Sequence, residues 1–202
     1  MRIMSTGDFH GDKNLVKKLA DKAEKEEVDL VLICGDLTHQ DKDHKGLIGP
    51  FLEKHKKVLF VGGNHDSTAT LEVLKQKYGY QAKHINGYGL KYDDIGIFGC
   101  GGANIGWEAL EEEEIFATLE EGHKGVSYLD KKIMVTHVHP TGIVAEKFTK
   151  FFPGSSGVRK AIEKIQPDFA FCCHVHEAEG LEEQVGKTKV VNVGKRGFIF
   201  DL

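Results

Sequence analysis

Five short apolar runs in this chain each end in a side chain able to hold a metal ion. Residues 2–7 run into Asp8-Phe9-His10, residues 30–35 into Asp36, and residues 58–63 into Asn64-His65-Asp66. Residues 133–136 run into His137, and residues 169–173 into His174-Val175-His176. Apolar stretches of this length, bounded by Gly or polar residues, read as strands, several of them buried on both faces. A donor just past the carboxyl end of a strand stands where α/β sheets place their ligand sites. Gly7, Gly35 and Gly63 come at or just before donors, where a missing Cβ lets neighbouring loops approach closely.

The segments between these runs carry helical spacing. Leu15, Leu19 and Ala23 share one face, as do Leu71, Leu74 and Tyr78. Val158, Ala161, Ile162 and Ile165 repeat the pattern, with Ser155 or Ser156 as N-cap and Pro167 beyond the end. A further strand is expected at residues 95–98. Residues 184–193 and 198–202 read as consecutive strands, the first folded around a Gly186-Lys187 turn, with no helix between them. A helix is expected over residues 107–119, with the acidic run 111–114 on its solvated face. The fold class is therefore α/β with a partly mixed sheet.

Composition narrows the function classes. At 202 residues, 40% apolar and 29% charged, the chain suits one soluble domain, residues 1–202. Its net charge of -4 provides no global positive field for nucleic acid or an anionic membrane. No apolar run reaches the roughly 18 residues of a membrane span, and the N-terminus lacks the apolar stretch of a signal peptide, so a cytoplasmic setting is expected. Cys34, Cys100, Cys172 and Cys173 lie in or beside apolar runs and read as small buried hydrophobes rather than a disulfide framework.

Each donor motif alone is weak. A lone Asp-x-His is usually a turn with a surface histidine, and Gly-Asn-His-Asp suits any tight turn. His174 and His176 fall on one face of an extended segment, which could be incidental. Taken together, the motifs form an all-oxygen-and-nitrogen set that suits Mn, Fe, Zn, Co or Ni. Their order, Asp-x-His, Gly-Asp, Gly-Asn-His-Asp, His and His-x-His, resembles that of the calcineurin-like metallophosphoesterase superfamily, over nearly the whole chain.

The resemblance implies a four-layer αββα sandwich with two mixed sheets and a metal site at the carboxyl ends of the strands. It implies two divalent metal ions, Mn foremost. The first would be held by Asp8, His10, Asp36 and His176, and the second by Asp36, Asn64, His137 and His174. A shared carboxylate relieves repulsion between adjacent ions, and two aspartates against two divalent ions leave about +2 of charge for a phosphate. The implied activity is hydrolysis of phosphomonoesters or small phosphodiesters by attack of a metal-bound water or hydroxide. His65 is the implied catalytic residue, stabilising the transition state or protonating the leaving oxygen.

The chain departs from the family pattern at several points. Cys173 replaces the usual Gly before the last His pair. His139 competes with His137, of which His137 directly follows the strand. His39 stands where relatives often carry Asp and, with Asn104, is a substrate-proximal candidate. His44, His55, His84 and His123 match no motif and read as surface residues. Residues 99–104 and 148–156 are candidate specificity loops, although the phenylalanines of the second are more often core residues.

The Gly35-Asp36-Leu37-Thr38-His39 run also resembles that of DNA-repair nucleases, which makes a metal-dependent nuclease the alternative. Those proteins are much larger, and net charge does not point to nucleic acid. A non-catalytic scaffold on the same fold is the third reading. The expected partner is a small phosphoester substrate, with no membrane; a homo-oligomer is left open.

Overall fold

The computed structural model describes all residues except Asp43, Glu108 and Lys150. One sheet contains β1 (Arg2–Thr6), β2 (Leu30–Cys34), β3 (Lys57–Val61) and β4 (Ala82–His84), parallel and in that spatial order. The last strand, β11 (Phe198–Asp201), joins its edge antiparallel to β1. The second sheet has six strands. In spatial order they are β5 (Gly89–Tyr92), β6 (Ile95–Cys100), β7 (Lys131–Thr136), β8 (Phe169–Cys172), β10 (Thr188–Asn192) and β9 (Glu182–Val185). Here β6, β7, β8 and β10 are parallel, and the edge strands β5 and β9 are antiparallel.

Side-chain alternation assembles the layers. In β2, Leu30, Leu32 and Cys34 point into a core shared with the second sheet, which includes Val61, Ile97, Val135 and Phe171. Val31 and Ile33 point the opposite way, into a core with helices α1 (Lys13–Lys25), α2 (Gly49–Glu53) and α3 (Thr68–Tyr78). All of β2 is therefore buried, which is why its sequence is a continuous apolar run and not an alternating one. The outer face of the second sheet is covered by α4 (Glu112–Lys124) and α5 (Ser156–Ile165) through Ile115, Leu119, Val158, Ala161 and Ile162. The result is an αββα sandwich.

Local chemistry starts the helices. The Asp12 carboxylate accepts from the Asn14 and Leu15 amides at 3.0 Å, and α1 then buries Val16, Leu19, Ala20 and Ala23 at helical spacing. Ser67 caps α3, and Ser155 caps α5 by accepting from Val158 N.

Three expectations are corrected. The helix expected at residues 107–119 begins at Glu112. Gly106 takes φ +97°, outside any helix, and Leu110 N donates to Ala103 O at 2.8 Å, so residues 103–107 and 109–110 belong to a loop. Glu108 of that expected helix lies outside the described residues. The acidic run is not uniformly solvated. The Glu112 carboxylate accepts from Ser155 Oγ at 2.5 Å, Gly157 N at 2.7 Å and Asn104 Nδ2 at 2.9 Å, tying α4 to the start of α5. His84 and His123 are not plain surface residues either. They are half-buried, with their rings 5.2 Å from Phe60 and 5.5 Å from Phe98. Among the described residues, no helix is long and apolar enough to cross a membrane.

Candidate metal centre

The parallel register brings the carboxyl ends of five strands to one edge. Thr6 pairs with Ile33 and Cys34 with Val61 in the first sheet, and Val135 pairs with Phe171 in the second. Beyond the strands the backbone stays laced: Asp8 N donates to Gly35 O at 3.0 Å, His10 N to Asp36 O at 2.9 Å, and Cys173 N to His137 O at 3.0 Å. Asp8, His10, Asp36 and His174 all adopt left-handed φ values of 45–70°. Each such non-glycine conformation costs about 1–2 kcal/mol, and such strain concentrates at functional sites. Gly63 has to be glycine for a different reason. A Cβ there would lie 2.1 Å from Asp36 Oδ1 and 2.4 Å from Asp36 N.

The donors gather in two adjoining groups. In the first, the donor atoms of Asp8, His10 and His176 lie within 4.8 Å of one another. His10 Nε2 is 3.3 Å from His176 Nε2, and His176 Nε2 is 3.6 Å from Asp8 Oδ2. In the second, His137 Nε2 lies 3.0 Å from Asn64 Oδ1 and 3.1 Å from His174 Nδ1. Asp36 touches both groups, because the same Oδ2 is 3.6 Å from His10 Nε2 and 3.5 Å from His137 Nε2.

These atoms fit cations better than they fit one another. His137 Nδ1 donates to the buried Cys34 carbonyl at 3.0 Å, so its Nε2 lone pair faces the acceptor Asn64 Oδ1 at 3.0 Å. Asp8 Oδ1 and His174 Nε2 are buried without any partner. The facing acceptors Asn64 Oδ1 and His137 Nε2 and the unpartnered Asp8 Oδ1 are costly when left buried, and a divalent ion with a nitrogen and oxygen shell would satisfy such atoms.

Protonation states agree. Burial pushes His10 down to about 4, opposed by Asp36 and Asp8, and pushes His174 down to about 3. Both rings are therefore neutral at pH 7, the form that binds metal. Burial would raise the Asp8 carboxyl, but the neighbouring His176, His137 and His10 more than offset it, leaving it below its ordinary range. His176, half-exposed beside Asp8, is raised by that carboxylate.

A family model for calcineurin-like phosphoesterases matches residues 1–178. The chain belongs to the calcineurin-like phosphoesterase family. An uncharacterized protein of Methanocaldococcus jannaschii is 28% identical over 213 residues, spanning 100% of this chain and 92% of that protein. Among solved structures, TT1561 of Thermus thermophilus superposes with a TM-score of 0.76 at 17% identity, over 99% of this chain and 98% of that one. A dimetal phosphatase from Danio rerio superposes with a TM-score of 0.64 at 11% identity, over 96% and 88%. At these identities the two structures establish the fold alone.

The other candidate residues of this phosphoesterase chain fall as follows. His65 lines a cavity of about 260 Å³ together with His10, Asp36, Asn64, His174 and His176. Its amide donates to Asp36 Oδ1 at 2.9 Å, and its ring lies 4.9 Å from His10, edge to face. His39 stacks on His65 with ring centres 5.0 Å apart and remains exposed. His139 is fully buried with both ring nitrogens unpartnered and joins neither donor group; burial pushes it down to about 4. Asn104 does not line the cavity. Its Nδ2 donates to Glu112 and to Gly154 O, joining the two candidate loops. Cys173 Sγ donates to Cys34 O at 2.8 Å, on the Nδ1 side of His137, and burial pushes its thiol well above the ordinary range. It is a protonated thiol packed behind the donors.

Two features were not read from sequence. Asp66 is 2% exposed and accepts from Leu37 N, Thr38 N, Thr38 Oγ1 and Gly63 N at 2.7–2.9 Å, clamping the loop after β2 to the loop after β3. An acid at the end of a Gly-Asn-His-Asp turn is the only hint the sequence holds. The phenylalanines of the 148–156 loop are not core residues: Phe148, Phe151 and Phe152 are 49%, 78% and 42% exposed, and Phe152 lines the cavity. Lys150 of that loop lies outside the described residues. A larger groove of about 580 Å³, lined by Lys56, Lys57, Lys83 and Lys91, lies toward the opposite ends of the strands, away from the donor groups.

Proposed function

We propose that this chain hydrolyses phosphomonoesters or small phosphodiesters with two divalent ions. Asp8, His10, Asp36 and His176 would hold one, and Asp36, Asn64, His137 and His174 the other. The observation that carries the reading is Asp36: a single carboxylate oxygen lies 3.6 Å from a donor of one group and 3.5 Å from a donor of the other. When bound, such ions polarise the phosphoryl oxygens and lower the pKa of water to near neutrality. Mn leads among Mn, Fe, Zn, Co and Ni; the donor set itself does not choose.

The chain's own residues supply the rest. The two aspartates leave a balance of about +2 against the ions, suited to one phosphate. His65, pinned to Asp36 through its amide, presents its imidazole to the cavity and delivers a proton to the departing ester oxygen. His39, stacked on that ring, helps to orient it. The Danio rerio neighbour is a dimetal phosphatase, which agrees with the reading. All four cysteines are free and buried, as suits a reducing, cytoplasmic setting.

The test is a screen of phosphomonoesters, cyclic nucleotides and diesters with each metal added to the chelated protein. Turnover that Asp36→Asn abolishes is expected. No turnover of any ester with any of these metals would rule the proposal out.

A further inference from the structure

Apart from the donor residues and His65, the described residues lining the 260 Å³ cavity are Phe152 and Glu177. The Phe152 ring stands edge to face against His174, with centroids 4.9 Å apart and planes at 78°. It is held there, because Phe151 N and Phe152 N both donate to Thr149 Oγ1 at 3.2 Å, and Asn104 reaches from the facing loop to Gly154 O. That facing loop carries exposed Ile105 and Trp107 on either side of Gly106, where an added Cβ would lie 3.1 Å from Asn64 Nδ2. An aromatic side chain left 42% exposed at the mouth of a polar site forgoes part of the gain of burial, so something apolar that visits the site has reason to cover it.

Charge points the same way. Among the described residues lining the cavity there is no Lys or Arg, and Glu177 adds a negative charge at the rim. Among the described residues, Lys195 lies within electrostatic reach of His176. The ions would match a single phosphate. A second phosphate or carboxylate on the substrate would meet Glu177, and among the described residues of the wall it would find no cationic side chain.

We infer that Phe152 is a specificity-determining residue and that the preferred substrate carries one phosphate ester next to an uncharged, apolar or aromatic group. The inference rests on the proposed hydrolase activity and deepens it by naming the substrate class. Nucleoside polyphosphates and bisphosphates fall on the disfavoured side. The Phe152 face packs the apolar group while the ions hold the phosphate, so its effect lies mainly in KM.

The test compares primary alkyl esters of similar leaving-group acidity on the metal-loaded, full-length protein. One is 3-phenylpropyl phosphate and the other propane-1,3-diol bisphosphate, each assayed also as its methyl diester. The expected result is a kcat/KM at least tenfold higher for the phenylpropyl member of whichever series is turned over. Phe152→Ser should shrink that ratio severalfold through KM, and Phe152→Leu should keep most of it. Equal efficiency, preference for the bisphosphate, or a ratio untouched by Phe152→Ser would overturn the inference while leaving the hydrolase reading intact. Absence of turnover for all four esters by a wild-type protein that hydrolyses other phosphoesters would overturn the inference alone, and absence of turnover for every ester of the wider screen would overturn both.

Discussion

Replacing Gly63 with Ala isolates the packing that sets the position of Asp36. Gly63 does not use a left-handed backbone, so alanine brings no conformational penalty there. The added methyl would sit 2.1 Å from Asp36 Oδ1, 2.4 Å from its amide and 2.7 Å from Cγ. Reaching an ordinary contact of 3.4 Å requires a shift of about 1.3 Å, and two of the three contacts involve the carboxylate itself. Overpacking of this kind costs about 1–3 kcal/mol of stability. A displacement near 1 Å at reacting groups typically costs on the order of 10²-fold in rate. We therefore expect Gly63→Ala to remain folded, to lose metal affinity and to fall roughly 10²-fold in turnover. Gly180→Ala is the control. It has φ +83° and no neighbour within 4 Å, so it should lose a little stability and no turnover. Urea denaturation, metal analysis and chromogenic phosphoester turnover read the three quantities. A Gly63→Ala protein with metal content and turnover within twofold of wild type would refute the argument that close loop approach positions Asp36.

The other variants probe separate links. Asp66→Ala strands three buried amide donors, while Thr38 Oγ1 keeps His65 O as an acceptor, and should destabilise the fold by roughly 3–5 kcal/mol in urea titration, whereas a change under about 1 kcal/mol would deny its clamp role. His65→Asn should lower turnover by roughly 10²–10⁴-fold with metal content unchanged, and the defect should shrink for a nitrophenyl leaving group; loss of metal would mean that His65 is a ligand. His39→Ala should cost less than His65→Asn. Burial holds His84 near 4, below the ordinary 6.5, so its contribution to stability is full above 6.5 and is lost as pH falls towards 4. His84→Leu should therefore lose less stability than wild type between pH 7.5 and 4.5, by up to about 3 kcal/mol in the chelated protein. An equal loss would place that pH dependence elsewhere.

Much of the fold could be read because parallel strands covered on both faces leave an unmistakable mark. Leu30 through Cys34 are apolar without interruption since both sides are packed, and Asp36 follows at once. The short edge strands β4 and β5 and the five-residue α2 left no such mark, being partly exposed or too short for a period to emerge. The shift of α4 was hidden for another reason. The segment before Glu112 carries helical residue types, but Gly106 at φ +97° and the Leu110–Ala103 hydrogen bond keep Trp107, Ala109 and Leu110 out of the helix. At the centre, motif order pointed to the donor residues, and proximity to the strand end separated His137 from His139. The exposed Phe152 and the clamp made by Asp66 depend on loop geometry, which residue type alone does not encode. Phe in a loop ordinarily signals core, and here the loop is held open by Thr149 and Asn104.

The central claim is that Asp36 joins two metal sites, and metal stoichiometry against activity tests it most directly. Chelated protein titrated with Mn should take up two ions per chain, with turnover rising as the second site fills. Asp36→Asn should weaken both sites at once, while His10→Ala should weaken one more than the other. Full turnover with a single ion bound, or an Asp36→Asn protein that still binds two ions tightly, would contradict the account.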